Sequence, residues 1–173
     1  IEVEDELLTM VEEAEIKGGI DEHESKLIRS AIEFNDLDAD QILTSRVDMI
    51  SIPKETTMED VRKVFKENKF SRIPVYENNI DNIIGVIHEK DFYDALDEKK
   101  ENIDSIIKPI LYVTSNTKIS ELLKKFQYIK NHMAVVIDEF GGTMGIITLE
   151  DVLEELVGEI WDEHDEVVEY FKK

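Results

Sequence analysis

The sequence predicts an α+β protein. Two β-α-β-β-α repeats pack as a pseudo-twofold pair behind an N-terminal helical connector. Three observations predict this. Residues 71–96, "SRIPVYENNIDNIIGVIHEKDFYDAL", lie over residues 131–156, "NHMAVVIDEFGGTMGIITLEDVLEEL", without a gap at an offset of 60. Val75 then meets Val135, Gly85 meets Gly145 and Asp91 meets Asp151. The preceding segments align at an offset of 61, Ile52 on Val113, Val61 on Leu122 and Phe65 on Phe126, so one residue is lost just ahead of the second strand. Each half also alternates short apolar strands with helices of 3.6-residue period.

The elements follow in order. Leu7, Leu8, Val11 and Ala14 mark a first helix that Gly18-Gly19 breaks. Asp21-x-x-Glu24 has the spacing of a capping box for a second helix through Phe34. These residues form the connector, 1–40. Repeat 1, 41–100, opens with a strand at 48–52, then a helix with Met58, Val61, Val64 and Phe65 on one face. A hairpin follows, strands 73–76 and 83–87 joined through Asn78-Asn79. Repeat 2, 101–160, gives a strand at 111–113 and a helix with Ile119, Leu122, Leu123, Phe126 and Ile129 inward. Its hairpin pairs 133–137 with 144–147 through Gly141-Gly142, and both turns hold residues that tolerate positive φ. The last helix carries an apolar stripe of Leu149, Val152, Leu153, Leu156, Val157 and Ile160. The tail, 161–173, is acidic, with Trp161 expected to pack on the repeats. A unit of about 60 residues barely buries a core by itself, so the copies should pack together and place ligand sites in the clefts between them.

Composition narrows the function. The 173 residues carry a formal net charge of -21, which repels phosphate backbones and disfavours nucleic-acid binding. An anionic ligand would need local basic residues or a bound cation. There is no Cys, so disulfides, thiolate metal sites and a cysteine nucleophile are excluded. Apolar runs fall far short of the ~20 residues of a membrane helix, and no signal peptide is visible. The chain begins at Ile, which suggests a piece of something longer. His23, His88, His132 and His164 are scattered, and no nucleophile elbow or phosphate-binding loop is present. The reading is therefore not an enzyme.

Thr148-x-x-Asp151 follows a short strand and opens a helix. Read alone it is a capping box, and Thr57-x-x-Asp60 repeats the spacing at another helix start. Whether the pair also holds a ligand depends on what the rest of the chain resembles.

The repeated β-α-β-β-α unit resembles a tandem CBS domain, or Bateman module. "SRIPVYE" (71–77), "HMAVVIDEFGGTMGIITLEDVLEELVGEIWDE" (132–163) and "EHESKLIRSAIEFNDLDADQILTSR" (22–46) resemble the CBS pair of the CorC/HlyC/CNNM family, linked to magnesium and cobalt efflux and called hemolysins in older usage. The resemblance implies a regulatory fragment on the cytoplasmic face of a membrane transporter, whose membrane domain would lie outside this chain. It implies binding of AMP or ATP, with Mg²⁺ bridging the phosphates. It places Thr44 and Ile146 near the adenine, Phe70, Ser71 and Arg72 around base and phosphates, and Thr148 and Asp151 at phosphate and ribose. His88 and Asp91 would form a weaker pseudo-symmetric site. Leu43-Thr44-Ser45-Arg46 departs from the family's Met-Thr-Pro-Arg, and His88 stands where Thr is usual. The resemblance also implies a homodimer through the CBS modules, with the helices after Thr57 and Thr148 as candidate interfaces. A ligand-free dimerisation scaffold, with Thr148 and Asp151 serving only as caps, stays open beside the sensor.

Overall fold

The structure, a computed structural model, describes residues 2–33, 37–129 and 132–161, with side chains over 5–31, 37–129 and 132–155. The expectations for Phe34, for the side chains of Leu156, Val157, Ile160 and Trp161, and for the acidic tail lie outside these. The connector contributes α1 (Glu2–Ile16) and α2 (Glu22–Glu33), separated by Gly18 at φ +79°. The Asp21–Glu24 box forms reciprocally: Glu24 N donates to Asp21 Oδ1 at 2.7 Å, and Asp21 N to Glu24 Oε1 at 3.3 Å.

Next come α3 (Ala39–Ile42), β1 (Thr44–Ser45), β2 (Ile52–Pro53), α4 (Met58–Glu67), β3 (Arg72–Tyr76), β4 (Ile83–His88) and α5 (Glu89–Asp97). A 3-10 turn at Asp104–Ile106 leads into β5 (Leu111–Thr114), α6 (Ile119–Tyr128), β6 (Met133–Ile137), β7 (Thr143–Thr148) and α7 (Leu149–Trp161). The strand expected at 48–52 is mostly a turn, because the N–H groups of Asp48 and Met49 both donate to the Ser45 carbonyl. Only Ile52 remains to pair, in parallel with Val75.

Two sheets form, ordered β1-β7-β6-β5 and β2-β3-β4. Each takes a piece of chain from ahead of the other repeat. β1 pairs antiparallel with β7, Thr44 opposite Ile146, and Lys108 bridges Val86 of β4. Glycines permit both approaches. A Cβ at Gly145 would collide with the Thr44 carbonyl oxygen, and one at Gly85 would lie 2.5 Å from that of Lys108. α3 continues the exchange, since Ala39 is fully buried among Ile119, Leu122, Phe126 and Val152 of the second repeat.

The α4 stripe meets Ile73, Ile87, Phe92 and Ile103 in one core, and the α6 stripe meets Ala134, Val136 and Ile147 in another. A third cluster, Met49, Ile83, Val86, Ile110, Met133, Val135 and Ile146, fills the space between the sheets. Leu153 departs from its predicted stripe and is 45% exposed, because α7 buries a face centred on Val152.

The structural repeat corrects the sequence alignment. β3 superposes on β6 at an offset of 61, so Val75 corresponds to Val136, not Val135, while β4 superposes on β7 at 60. The residue is lost inside the hairpin turn. Matching bonds agree: Glu89 N donates to Ser71 O, and Leu149 N to His132 O. The two turns are also tied together. Arg46 Nη1 donates to Asp81 Oδ1 at 2.8 Å and to Thr143 O at 3.1 Å, and Thr143 N donates to the same Asp81 oxygen at 3.0 Å. The Thr143 N–H and the Arg46 guanidinium hold the Asp81 carboxyl below its ordinary range against the opposing effect of burial. Asn78 and Gly141 take the positive φ that these turns require.

Candidate functional site

A cleft of about 330 Å³ opens between the repeats, lined in part by Thr44, Phe70, Ser71, Arg72, Ile146, Thr148 and Asp151. All seven residues singled out in the sequence therefore meet in one cavity. The strand exchange brings them together: β1 carries Thr44 onto β7 beside Ile146, and the start of β3 carries Arg72 from the other sheet. Lys69, Asp48, Met49, Ile50, Met133 and Glu150 complete the wall. Phe70 is 51% exposed, so its ring is a cleft surface and not a core residue.

Thr148 and Asp151 do form a capping box. Asp151 N donates to Thr148 Oγ1 at 3.1 Å, and Thr148 N donates to Asp151 Oδ2 at 3.0 Å. The control pair is only half as complete in the bonds it makes, with Asp60 N donating to Thr57 Oγ1 at 3.2 Å. Capping aims the first turn of α7, with its N–H groups and positive dipole end, at the cleft.

Arg72 supplies the cation. Its side chain is 17% exposed, and Nη1 lies 3.2 Å from both carboxylate oxygens of Glu150, which is 62% exposed on the first turn of α7. Burial pushes the Glu150 carboxyl up, but its own backbone N–H, the Arg72 charge and the Thr148 hydroxyl together bring it below the ordinary glutamate range. The sequence alignment set Glu150 against Lys90 without giving it a role; the signal was its place between Thr148 and Asp151 at a helix start.

The pseudo-symmetric cleft is built differently. Lys108 takes the place of Thr44, His88 that of Thr148, Asp91 that of Asp151 and Met133 that of Arg72. Lys108 Nζ lies 2.9 Å from Asp91 Oδ2, so the chain sets its own ammonium on the carboxylate that aligns with Asp151. Lys108 went unnoticed because its alignment on Thr44 needs a different offset from the rest of the repeat.

Comparisons with known proteins bear on this geometry. The CBS-domain family model matches residues 39–98 and 102–158. The CBS domain of a bacterial CNNM/CorC family Mg²⁺ transporter, solved with the inhibitor IGN95a, superposes with a TM-score of 0.83 at 40% identity, covering 90% of this chain and 97% of that one. This chain belongs to the CNNM/CorC family of CBS pairs. Hemolysin C of Brachyspira hyodysenteriae is 41% identical to the pair over 151 residues, covering 87% of this chain and 56% of the relative. A bacterial CNNM/CorC CBS domain solved in complex with ATP is 42% identical, with a TM-score of 0.73, covering 78% of this chain and 97% of that one. A CBS pair from Klebsiella pneumoniae with bound AMP shares 28% identity at a TM-score of 0.60, covering 70% and 98%. The pair spans about a quarter of two chloroplastic DUF21 domain-containing relatives from Arabidopsis thaliana, 27% and 26% of their lengths. Among the described residues, no helix is long and apolar enough to cross a membrane.

Proposed function

We propose that this CBS pair binds an adenine nucleotide, ATP or AMP, between its repeats and reports occupancy to the rest of a CorC-like transporter of Mg²⁺ or Co²⁺. One observation carries the reading: both repeats deliver a capped helix N-terminus, a carboxylate, an arginine and an exposed aromatic ring to one cleft. The ATP complex of a 42% identical relative supports it. Asp151 accepts from the ribose hydroxyls, the Thr148 hydroxyl and first-turn amides receive phosphate, and Arg72 neutralises it. Phe70 packs on the base, Thr44 and Ile146 line the adenine end, and Ser71 adds a polar contact.

Among the described residues no group of three or more His, Asp or Glu could hold a metal ion by itself. Mg²⁺ would therefore ride on the nucleotide phosphates, keeping most of its waters. The CBS pair works at the cytoplasmic face of the membrane as a homodimer, pairing through α4 and α7. Ligand shifts the transporter only by as much as it binds one arrangement of the modules better than the other.

The test is calorimetric titration of ATP and AMP, each with and without Mg²⁺, into the wild type, Asp151→Ala and Thr57→Ala. The expected result is binding that Asp151→Ala weakens at least about tenfold and Thr57→Ala leaves alone, since only the first variant touches the cleft. The complete capping box favours a second reading, a ligand-free dimerisation scaffold. No heat with any nucleotide, together with dimers in sedimentation, would establish that reading instead.

A further inference from the structure

Asp81 is joined to both strands of the β1–β7 wall of the cleft. Its Oδ1 accepts from Arg46 Nη1 at 2.8 Å, just past the end of β1, and from Thr143 N at 3.0 Å, at the start of β7. Arg46 Nη1 also donates to Thr143 O at 3.1 Å, which closes a three-way tie. Arg46, Asp81 and Thr143 all lie outside the lining of the cleft. The carboxylate of the other hairpin turn serves its own turn instead: Asp138 Oδ1 accepts from Phe140 N and Gly142 N, each at 2.8 Å.

The tie stands at the back of two levers. One wall of the cleft is β1–β7, with Thr143 at one end of β7 and Thr148 at the other, about 17 Å apart at ~3.4 Å per residue. The opposite wall is the β3–β4 hairpin, with Arg72 at the cleft end and Asp81 in the turn at the far end. Asp81 therefore joins the two walls at the end remote from the ligand site. β1 needs such a tie. It has two residues, and a turn follows at once, with Asp48 N and Met49 N both donating to Ser45 O. Ser45, between Thr44 and Arg46, has no ring to fix its φ. On this side β1 is held by Arg46, whose N–H donates to Met144 O at 2.9 Å and whose guanidinium is anchored on Asp81.

We propose that Asp81 is a positioning residue for the nucleotide. From outside the cleft, and through Arg46, it sets where Thr44 stands beside Ile146 at the adenine end. The inference rests on the nucleotide reading above and adds to that site a residue that the ligand does not touch. At the other edge of the sheets a different tie joins the halves, where Tyr112 OH donates to Ile83 O and links β5 to β4. That tie holds neither β1 nor β7, which makes it the control.

The experiment compares wild type, Asp81→Ala, Arg46→Ala, the double variant and Tyr112→Phe. Amide hydrogen exchange is read without nucleotide; binding is read with adenosine by chemical-shift titration and with ATP plus Mg²⁺ by calorimetry. In Asp81→Ala the Arg46 N–H should exchange about tenfold faster, while core amides of β6 keep their protection. Affinity for adenosine and for ATP should fall by one common factor, about fivefold, because the base end shifts and the phosphate end does not. Adenosine has no phosphate, so its loss does not report the charge removed with Asp81. The double variant should bind no worse than Arg46→Ala, since Asp81 acts through Arg46. Tyr112→Phe should lower the melting temperature and leave Arg46 exchange and both affinities unchanged. Unchanged adenosine affinity in Asp81→Ala overturns the inference and leaves the nucleotide reading intact. An equal loss of affinity in Tyr112→Phe also overturns it, by exposing general destabilisation. If the wild type binds neither ligand, the nucleotide reading is removed and this inference falls with it.

Discussion

The two clefts of the pair share a backbone plan and differ in what the chain puts inside them. In one, Thr44, Thr148, Asp151 and Arg72 surround an open volume. In the other, the corresponding residues are Lys108, His88, Asp91 and Met133, and the lysine reaches the carboxylate. The comparison teaches that a duplicated fold supplies two equivalent positions, and that single residues make their surroundings different. An ammonium 2.9 Å from Asp91 gives that carboxylate a cationic partner from within the chain. Meanwhile Met133 leaves the second cleft without its arginine and lends its own side chain to the core between the sheets.

The strongest way to break the comparison is at the glycines. Gly145→Ala and Gly85→Ala each force a methyl into an exchanged strand, and each should destabilise by about 3 kcal/mol in urea denaturation. Only Gly145→Ala displaces Thr44, so only it should also lose nucleotide affinity. Equal loss in both variants would mean that the clefts are mechanically one unit. Next in size, Thr148→Ala and Thr57→Ala should each cost about 1 kcal/mol as lost N-caps. A nucleotide titration should separate them, with Thr148→Ala alone weakening binding.

Smaller still, Lys108→Ala breaks an ion pair whose lysine is 53% exposed, and the stability change should stay within about 1 kcal/mol. Nucleotide stoichiometry should remain one per chain, because Met133 still stands where an arginine is needed. A second equivalent bound by this variant would show that the lysine alone keeps the second cleft empty. The smallest effect is in pH. The Glu150 carboxyl is held below its ordinary range in the folded state, so the stability it adds is fully present above the ordinary glutamate range. That stability is lost as pH falls through the lower folded value. Thermal melts of wild type and Glu150→Gln should differ by a few tenths of a kcal/mol near neutrality, and this difference should vanish in acid.

Much of this was legible in the sequence. The repeat, the helix faces led by Val61 and Phe65 or Leu122 and Phe126 and the positive-φ turn residues stand where the pattern put them, and the seven residues carried over from the family resemblance line one cleft. The register of the second hairpin was not legible, for a physical reason. Met133, Ala134, Val135 and Val136 are all buried, so β6 has no polar face to betray a slip of one residue. β1 was missed because two residues, Thr44 and Ser45, are too few to show a period. Lys108 could have been found from Ile106-Ile107-Lys108, which matches Ile42-Leu43-Thr44 in pattern. Glu150 showed only through its place between Thr148 and Asp151, because its partner Arg72 lies 78 residues away and no local pattern joins them.

The exchange of strands also bears on how the chain is made. Thr44 leaves the ribosome long before Ile146, its partner in the sheet. Until the final strand emerges, the nascent first repeat holds an entry segment with nothing to pair against. The cleft is therefore among the last features to close during synthesis, since its contacts span most of the chain and long loops close late. A chain cut between the repeats would give two halves that each lack an edge, able to rebuild the cleft only by finding one another.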